Sequence, residues 1–578
     1  HFGSFQHSLS STTPLLHSFC TRLYMRTKDL IAKRERRERK QTRKLRNNAP
    51  KKQVLDLPAE EKYTLPTEFS EQVLDELKHL PTFISNEEIM RRRDMRDVLT
   101  FTIDPEDAKD FDDAISFKIL DTGNYQIGIH IADVTHYVHE GSAVDEEAFQ
   151  RGTSINLVDR VIPMLPERLC KELCSLRPNE DKLCMSVIVE MNQQAKVIRH
   201  KICRTVIRSN YRLTYQQAQE ILGNGKGESE NSKVTAENGK LAEALHILNG
   251  LAQILRAKRF EHGAINFETP EVRFHLDEQG NPTEIIFHRS TEANYLIEEF
   301  MLLANRIVAA EIGAKKSDKT KVEDNAKDKK EDHPAKPFVY RVHDVPDPEK
   351  LVKLGNFIRQ FGFHLRTSAK RSVQNKHINN LLNECQGTNS QSLIETLAIR
   401  SMAKAVYSTS NIGHYGLAFP YYTHFTSPIR RYPDMMVHRL LARYILQSKA
   451  TCRHDKETLE EACVHCSDTE QMAQMAERDS IKEMQAKWMS NHIGEEFDGI
   501  ISGVTEFGLF VQLQDTLTEG LVPIRTIQPH DYMQYDEENY CLIAARSGKT
   551  YTLSDNVRVR VVRADVERKK IDFELVEE

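Results

Sequence analysis

Cysteine and tryptophan are scarce in this sequence, with ten of the former and one of the latter among 578 residues. Cysteine at that density cannot staple a disulfide scaffold, and free thiols in a reducing, cytoplasmic compartment are expected. Long apolar runs are also missing. No stretch approaches the roughly 18 residues that a helical membrane span needs, so no membrane partner is expected. The short apolar run at Leu15 and Leu16 has no basic segment before it, unlike a secretory signal. Charge of one sign is lacking too. With 80 Lys and Arg against 85 Asp and Glu the net charge is −5, which excludes a histone-like polycation. Nucleic-acid binding must then come from local basic channels.

What is present is enough for a large core. Hydrophobic residues make up 39% and charged residues 29%, and at roughly 150 residues per domain the length suggests about four domains. Residues 1–55 show no apolar period. Their basic block from Lys33 to Arg46 reads as a solvated or disordered segment, with an RNA-binding arm as the alternative. From about residue 56 the pattern becomes that of an α+β domain. Leu99, Phe101 and Ile103 alternate with Thr100 and Thr102 as in a half-buried strand. Ile127, Ile129 and Ile131 share one face of a second strand, while Gly128 on the other face implies a close neighbour. Apolar residues from Ala293 to Ile312 recur at helical spacing. Polar stretches near 223–240 and 314–337 read as mobile insertions. From Gly494 on, the segments Phe497–Ile501, Gly508–Leu513, Leu521–Ile524, Val557–Val562 and Ile571–Leu575 suit a small OB-type barrel, a separate unit at 494–578.

Two segments carry chemistry. Between Asp104 and Asp113 five aspartates fall within ten residues. Carboxylates this crowded repel, and a hard divalent cation relieves them. An EF-hand is excluded, because the Asp-x-Asp-x-Asp-Gly order and the glutamate at its twelfth position are missing. An exposed acidic turn is the plain alternative. The second segment is Thr426-Ser427-Pro428-Ile429-Arg430-Arg431-Tyr432-Pro433-Asp434. Its adjacent arginines suit a phosphate clamp, or an ion pair of either one with Asp434. Cys463-Val464-His465-Cys466, near Cys452 and His454, has a zinc-like spacing. Leu459 to Ala476 reads as one helix, however, which favours ordinary thiols.

Together these segments resemble the RNB family of exoribonucleases, the ribonuclease II and ribonuclease R type, with the latter nearer. The resemblance includes Ile129-His130-Ile131-Ala132-Asp133-Val134, Ile162-Pro163-Met164-Leu165-Pro166, Leu296-Ile297-Glu298-Glu299 and His414-Tyr415-Gly416-Leu417. Phe507-Gly508-Leu509-Phe510-Val511 and Glu519-Gly520-Leu521-Val522 resemble an S1 domain. The resemblance implies an RNB catalytic domain over 56–490 and an S1 RNA-binding domain over 494–578. It implies processive hydrolysis of single-stranded RNA from the 3′ end to nucleoside 5′-monophosphates with Mg²⁺, or with Mn²⁺ in its place. Asp104, Asp110, Asp112 and Asp113 match the metal-site aspartates, with Asp112 the one essential to turnover. Arg430 matches the arginine on the scissile phosphate. Phe267 matches the aromatic that stacks on terminal bases, and Glu298 the acid beside the last nucleotide. Asn156 stands where the family usually has a base-stacking Tyr. Phe507 and Phe510 are candidate stacking residues of the barrel, and strand alternation makes one of them core. The residues ahead of Leu57 are too few for the family's cold-shock barrels, which are expected to be missing. A monomer, with the ribosome or the RNA-decay machinery as partners, completes the expectation. The alternatives are a non-catalytic RNA-binding scaffold and a phosphate-dependent RNA phosphorylase.

Overall fold

The computed structural model describes residues 62–223, 236–267, 271–314, 336–366, 371–388, 390–446, 455–527, 531–536 and 540–576. The basic block at Lys33–Arg46, Cys452, His454 and most of the two expected insertions lie outside them. Helix is already present at Ala236, inside the first expected insertion.

A seven-stranded sheet organises the larger part of the chain. Its strands are β1 (Arg93–Asp94), β2 (Thr100–Asp104), β3 (Asp113–Ile119), β4 (Tyr125–Ala132), β5 (Asp181–Met191), β6 (Val197–Arg208) and β7 (Tyr211–Thr214). They lie in the order β1-β6-β5-β4-β3-β2-β7, with only the two outer pairs parallel. Helices α1 (Tyr215–Gly223), α2 (Ala236–Glu261) and α3 (Glu292–Gly313) pack on one another, and α3 lies on β4 and β5.

Both faces of the centre are covered, so β2 is not half-buried as its pattern suggests. Thr100 and Thr102 are as buried as Phe101 and Ile103. Thr100 Oγ1 donates to the Val98 carbonyl at 2.8 Å, which removes the cost of burying a hydroxyl. The close neighbour inferred at Gly128 is His130. Its ring bridges Ser186 Oγ and Ser116 Oγ at 2.8 Å each, and a Cβ at residue 128 would fall 2.4 Å from Ser116 Oγ. Burial holds this imidazole at about 3, so it is neutral at physiological pH. Beyond β4, Asp133 is fully buried against Arg92, Oδ2 to Nη1 2.8 Å, and the guanidinium holds its carboxyl below the usual range despite burial.

Helix α4 (Tyr432–Tyr444) is fixed by Asp145, which accepts from Tyr432 OH at 3.0 Å and Arg439 Nη2 at 2.7 Å. Helix α5 (Lys456–Ser490) is longer than the stretch read as helical. Its N-terminal half sends Leu459, Cys463 and Cys466 into the main core. Both thiols are buried, and His465 Nε2 lies 2.7 Å from the Phe149 carbonyl. That arrangement is core packing.

The barrel closes from β8 (Glu496–Thr505), β9 (Gly508–Leu513), β10 (Glu519–Pro523), β11 (Asn556–Asp565) and β12 (Lys570–Leu575). A three-stranded sheet of Met533–Asp536, Cys541–Ala544 and Thr550–Thr552 interrupts it, unseen in the sequence pattern. The barrel has a core of its own, and that core extends to the end of the preceding helix. Ala486 and Met489, at the end of α5, are buried in one core with Ile501, Leu509, Val511 and Phe573 of the barrel. Trp488 packs against that core. The β11–β12 turn adds Lys569, whose Nζ lies 3.3 Å from Glu483 of α5. Met489→Ala should therefore destabilise the barrel by about 2–5 kcal/mol. Urea denaturation followed by Trp488 fluorescence measures this, since Trp488 is the only tryptophan.

Candidate active site

The aspartate cluster is the connection between the antiparallel neighbours β2 and β3. Asp104 ends β2 and Asp113 opens β3. Pro105, without an N–H, ends the ladder. The loop backbone is tied on several sides. Arg212 Nη2 of β7 donates to the carbonyls of Pro105 and Glu106 at 2.8 and 2.6 Å. Ser175 Oγ accepts from Phe111 N and donates to the Lys109 carbonyl, both at 3.0 Å. Ala132 N donates to the Asp112 carbonyl at 2.9 Å. The backbone of this turn is therefore fixed, while Glu106, Asp107 and Asp110 stay exposed and Asp112 is buried.

Burial decides the electrostatics. All four carboxyls named from the sequence are raised above the usual range, and desolvation is the main cause in each. In Asp104 the charge of Asp113 adds to it, while Thr102 opposes. In Asp112 and Asp113 Arg430 pulls the other way without winning. Asp104 Oδ2 is buried with no hydrogen-bond partner. Acceptors in excess, donors in deficit and a shortage of positive charge suit a divalent cation of the Mg²⁺ type. Among the described residues no three His, Cys, Asp or Glu side chains already surround a common point at metal-binding distance. The fit rests on the donor set and its unmet charge.

The arginine pair divides its work. Arg431 is half-buried and bonded to Asp434, Nη2 to Oδ2 2.8 Å, and the same oxygen accepts from Ser427 N at 2.9 Å. That is the ion pair weighed above, and it fastens the turn to the first turn of α4. Arg430 points elsewhere. Its side chain is 49% exposed, its Nε lies 3.9 Å from Asp112 Oδ2, and its Nη2 donates to Ser427 Oγ at 3.2 Å. Ile429 N donates to Asp112 Oδ1 at 2.9 Å. The two segments singled out in the sequence, more than 300 residues apart, thus meet at Asp112.

Asn156 belongs to the two-residue strand Ile155–Asn156 beside this turn. Ser154 N donates to the Arg430 carbonyl at 2.9 Å, and Tyr432 N to that of Gly152 at 3.0 Å. Gly152, at φ +69°, leaves no room for a Cβ, which would fall 2.1 Å from Thr469 Oγ1 of α5. Asn156 is exposed, and its N–H donates to Glu477 Oε1 of α5 at 2.9 Å. Glu477, raised by burial and held down by Arg430, was missed in the sequence, as was Ser175. Neither sits in an acidic or basic pattern that could have marked it.

The remaining candidates stand apart from this network. Phe267 is half-buried against a cluster that includes Ile265, Leu351, Ile378 and Tyr415. Glu298, 45% exposed on α3, pairs with Arg259 Nη2 at 3.1 Å. In the barrel, the expectation that Phe507 or Phe510 is core is corrected. Phe507 lies in the turn before β9 and is 67% exposed. Phe510 points outward between the buried Leu509 and Val511. Alternation begins at Gly508, so it never governed Phe507.

Comparison with known proteins fits this geometry. The RNB domain family matches residues 92–447, and the S1 RNA binding domain matches residues 491–575. Ribonuclease R of Aquifex aeolicus is 40% identical over 516 residues, 89% of this chain and 69% of that protein. Ribonuclease R of Thermotoga maritima is 41% identical over 518 residues, with the same coverage. The structure of Mycoplasma genitalium RNase R in complex with ribose methylated single-stranded RNA superposes with a TM-score of 0.78 at 28% identity, over 90% of this chain and 77% of that one. The same enzyme with double-stranded RNA gives 0.74 at 26%, over 90% and 82%. The chain belongs to the RNB family and is an exoribonuclease.

The raised carboxyls have a consequence for stability. The folded protein keeps protons there that the unfolded chain has lost. Their contribution is full below the ordinary carboxylate value near pH 4 and is lost as the pH rises through the raised values. In EDTA, Asp104→Asn should raise the melting temperature, and the gain should grow from pH 5 to pH 8. A thermal melt series across that range checks it.

Proposed function

We propose that this protein hydrolyses RNA processively from the 3′ end and releases nucleoside 5′-monophosphates, with Mg²⁺ as its cofactor and Mn²⁺ able to replace it. The observation that carries this reading is Asp112. It is a buried carboxyl of raised affinity for protons, held by Ile429 N and faced by the half-exposed Arg430. Asp104, Asp110, Asp112 and Asp113 would hold the cation. A divalent cation held there would supply activation of a water for attack on phosphorus and charge stabilisation of the departing 3′-oxygen. Arg430, which is not bonded to Asp434, would contact the scissile phosphate.

RNA as the ligand is supported by the complexes of the Mycoplasma genitalium enzyme and by the S1 match. Phe267 and Glu298 would meet the terminal nucleotides, as the family resemblance implies. Phe507 and Phe510, both turned outward, suit stacking that reads no sequence. Asn156 has no π-face, so it cannot give the roughly 1–3 kcal/mol per base of a stacking Tyr.

Two experiments test this reading. With 5′-labelled oligo(A) and Mg²⁺, the parent should convert full-length RNA directly to short labelled limit products with few intermediates, and chromatography of the released nucleotides should show 5′-monophosphates. Asp112→Asn should still bind RNA while turnover falls by orders of magnitude. Activity that survives EDTA, or nucleoside diphosphates made only with added phosphate, would overturn it. Asn156→Tyr should shorten the limit products on a gel with little change in rate on long RNA. Equal limit lengths would remove Asn156 from the terminal subsite.

A further inference from the structure

One cation in the catalytic domain has no assigned work. Arg306, on α3 two turns beyond Glu299, is half-buried. Among the described residues no hydrogen bond or ion pair engages it, and its guanidinium lies 5.4 Å from the centre of the Phe419 ring. The nearest carboxylate influence is Glu299, which is already bonded to Arg259, Nε to Oε1 3.0 Å. Arg259 also serves Glu298. Burial pulls the Arg306 guanidinium below its usual value, with Glu299 alone opposing, yet an arginine remains charged. A positive charge is therefore left over on this face of α3.

The ring that backs it is set by a strained turn. Ala418 adopts φ +55°, a left-handed conformation that a residue with a side chain disfavours. His414 N donates to the Phe419 carbonyl at 2.8 Å, and Ala418 N to that of Tyr415 at 3.1 Å. The same turn carries the Gly416 carbonyl, which accepts from Ile265 N at 2.9 Å, two residues before Phe267. Asn305, next to Arg306, accepts from Phe425 N at 2.8 Å, just ahead of the Thr426–Arg431 segment. Arg306 and Phe419 are thus tied, through the Gly416 carbonyl and Asn305, to the segment that leads to Phe267 and to the turn that leads to Arg430.

We infer that Arg306, backed by Phe419, is a phosphate-holding residue for the RNA backbone, additional to Arg430 and outside the carboxylate cluster. It rests on the reading of this chain as an RNA-degrading enzyme. An aromatic face orients the planar guanidinium without consuming its donors, so the N–H fork stays available for phosphate oxygens. Glu298 and Arg306 are eight residues apart on one helix, a rise of about 12 Å. The contact is therefore to a phosphate other than the one beside Glu298.

The test measures binding of a single-stranded oligo(A) in EDTA, where no turnover occurs, by fluorescence anisotropy over a range of KCl concentrations. Arg306→Met keeps a long side chain over Phe419 and deletes the charge. It should weaken binding about tenfold and make the slope of log K against log salt shallower by about 0.7, one phosphate contact on a single strand. Arg306→Lys should keep the slope and lose part of the affinity with the fork. Arg306→Gln is judged by the same criterion if the Met variant does not fold. Parent-like affinity and slope in a folded, charge-deleted variant would overturn the assignment of Arg306 alone. A parent that does not bind oligo(A) would overturn the functional reading, and this inference with it.

Discussion

Four carboxyls crowded around one loop, with Asp112 buried, Asp104 and Asp113 half-buried and Asp110 still exposed, have too little positive charge to balance them, and this is the constraint around which the structure is arranged. Asp104, Asp110, Asp112 and Asp113 are all raised by desolvation. A surface loop would relax by turning them to water. Here Arg212, Ser175 and Ala132 hold the backbone in place. The nearest arginines do not cancel the charge, since Arg431 is committed to Asp434 and Arg430 reaches Asp112 only at 3.9 Å. The fold keeps an electrostatic cost that the proposed cation would offset, and such costs collect at functional sites.

Helix α5 carries that arrangement outward. Its first half fills the main core and its middle places Glu477 against Asn156. Its end contributes Ala486 and Met489 to the barrel core. A single continuous helix thus ties the S1 barrel to the edge of the catalytic site. The barrel's orientation is set by apolar packing and by Lys569 against Glu483, and not by a flexible linker.

Much of this was legible in the residues. The aspartate spacing, the Thr426–Asp434 segment, the core helix and the five barrel strands all rest on local patterns, and local patterns survive folding. What was not legible depends on distant partners. Arg430 and Arg431 are chemically identical neighbours of Asp434. Only the turn shows that Arg431, three residues before it, makes the bond and leaves its neighbour free. Ser175 and Glu477 look like any serine and any helical glutamate until Phe111 and Asn156 approach them. Thr100 and Thr102 suggest a solvent face because hydroxyls are polar, yet the sheet covers both sides and satisfies Thr100 from within. The barrel pattern starts at Gly494, but its core also takes in Ala486 and Met489 from the helix before that glycine.

The central claim is that the buried carboxyls are short of positive charge and that a divalent cation supplies it. Calorimetric titration of the metal-free protein with Mg²⁺, in two buffers of different ionisation enthalpy, tests it most directly. The account predicts that Mg²⁺ displaces protons from the raised carboxyls at neutral pH, so that the heats differ between buffers, and that this release dwindles as the pH is raised through their values. Binding without proton release across the same range, or no binding at all, would contradict it.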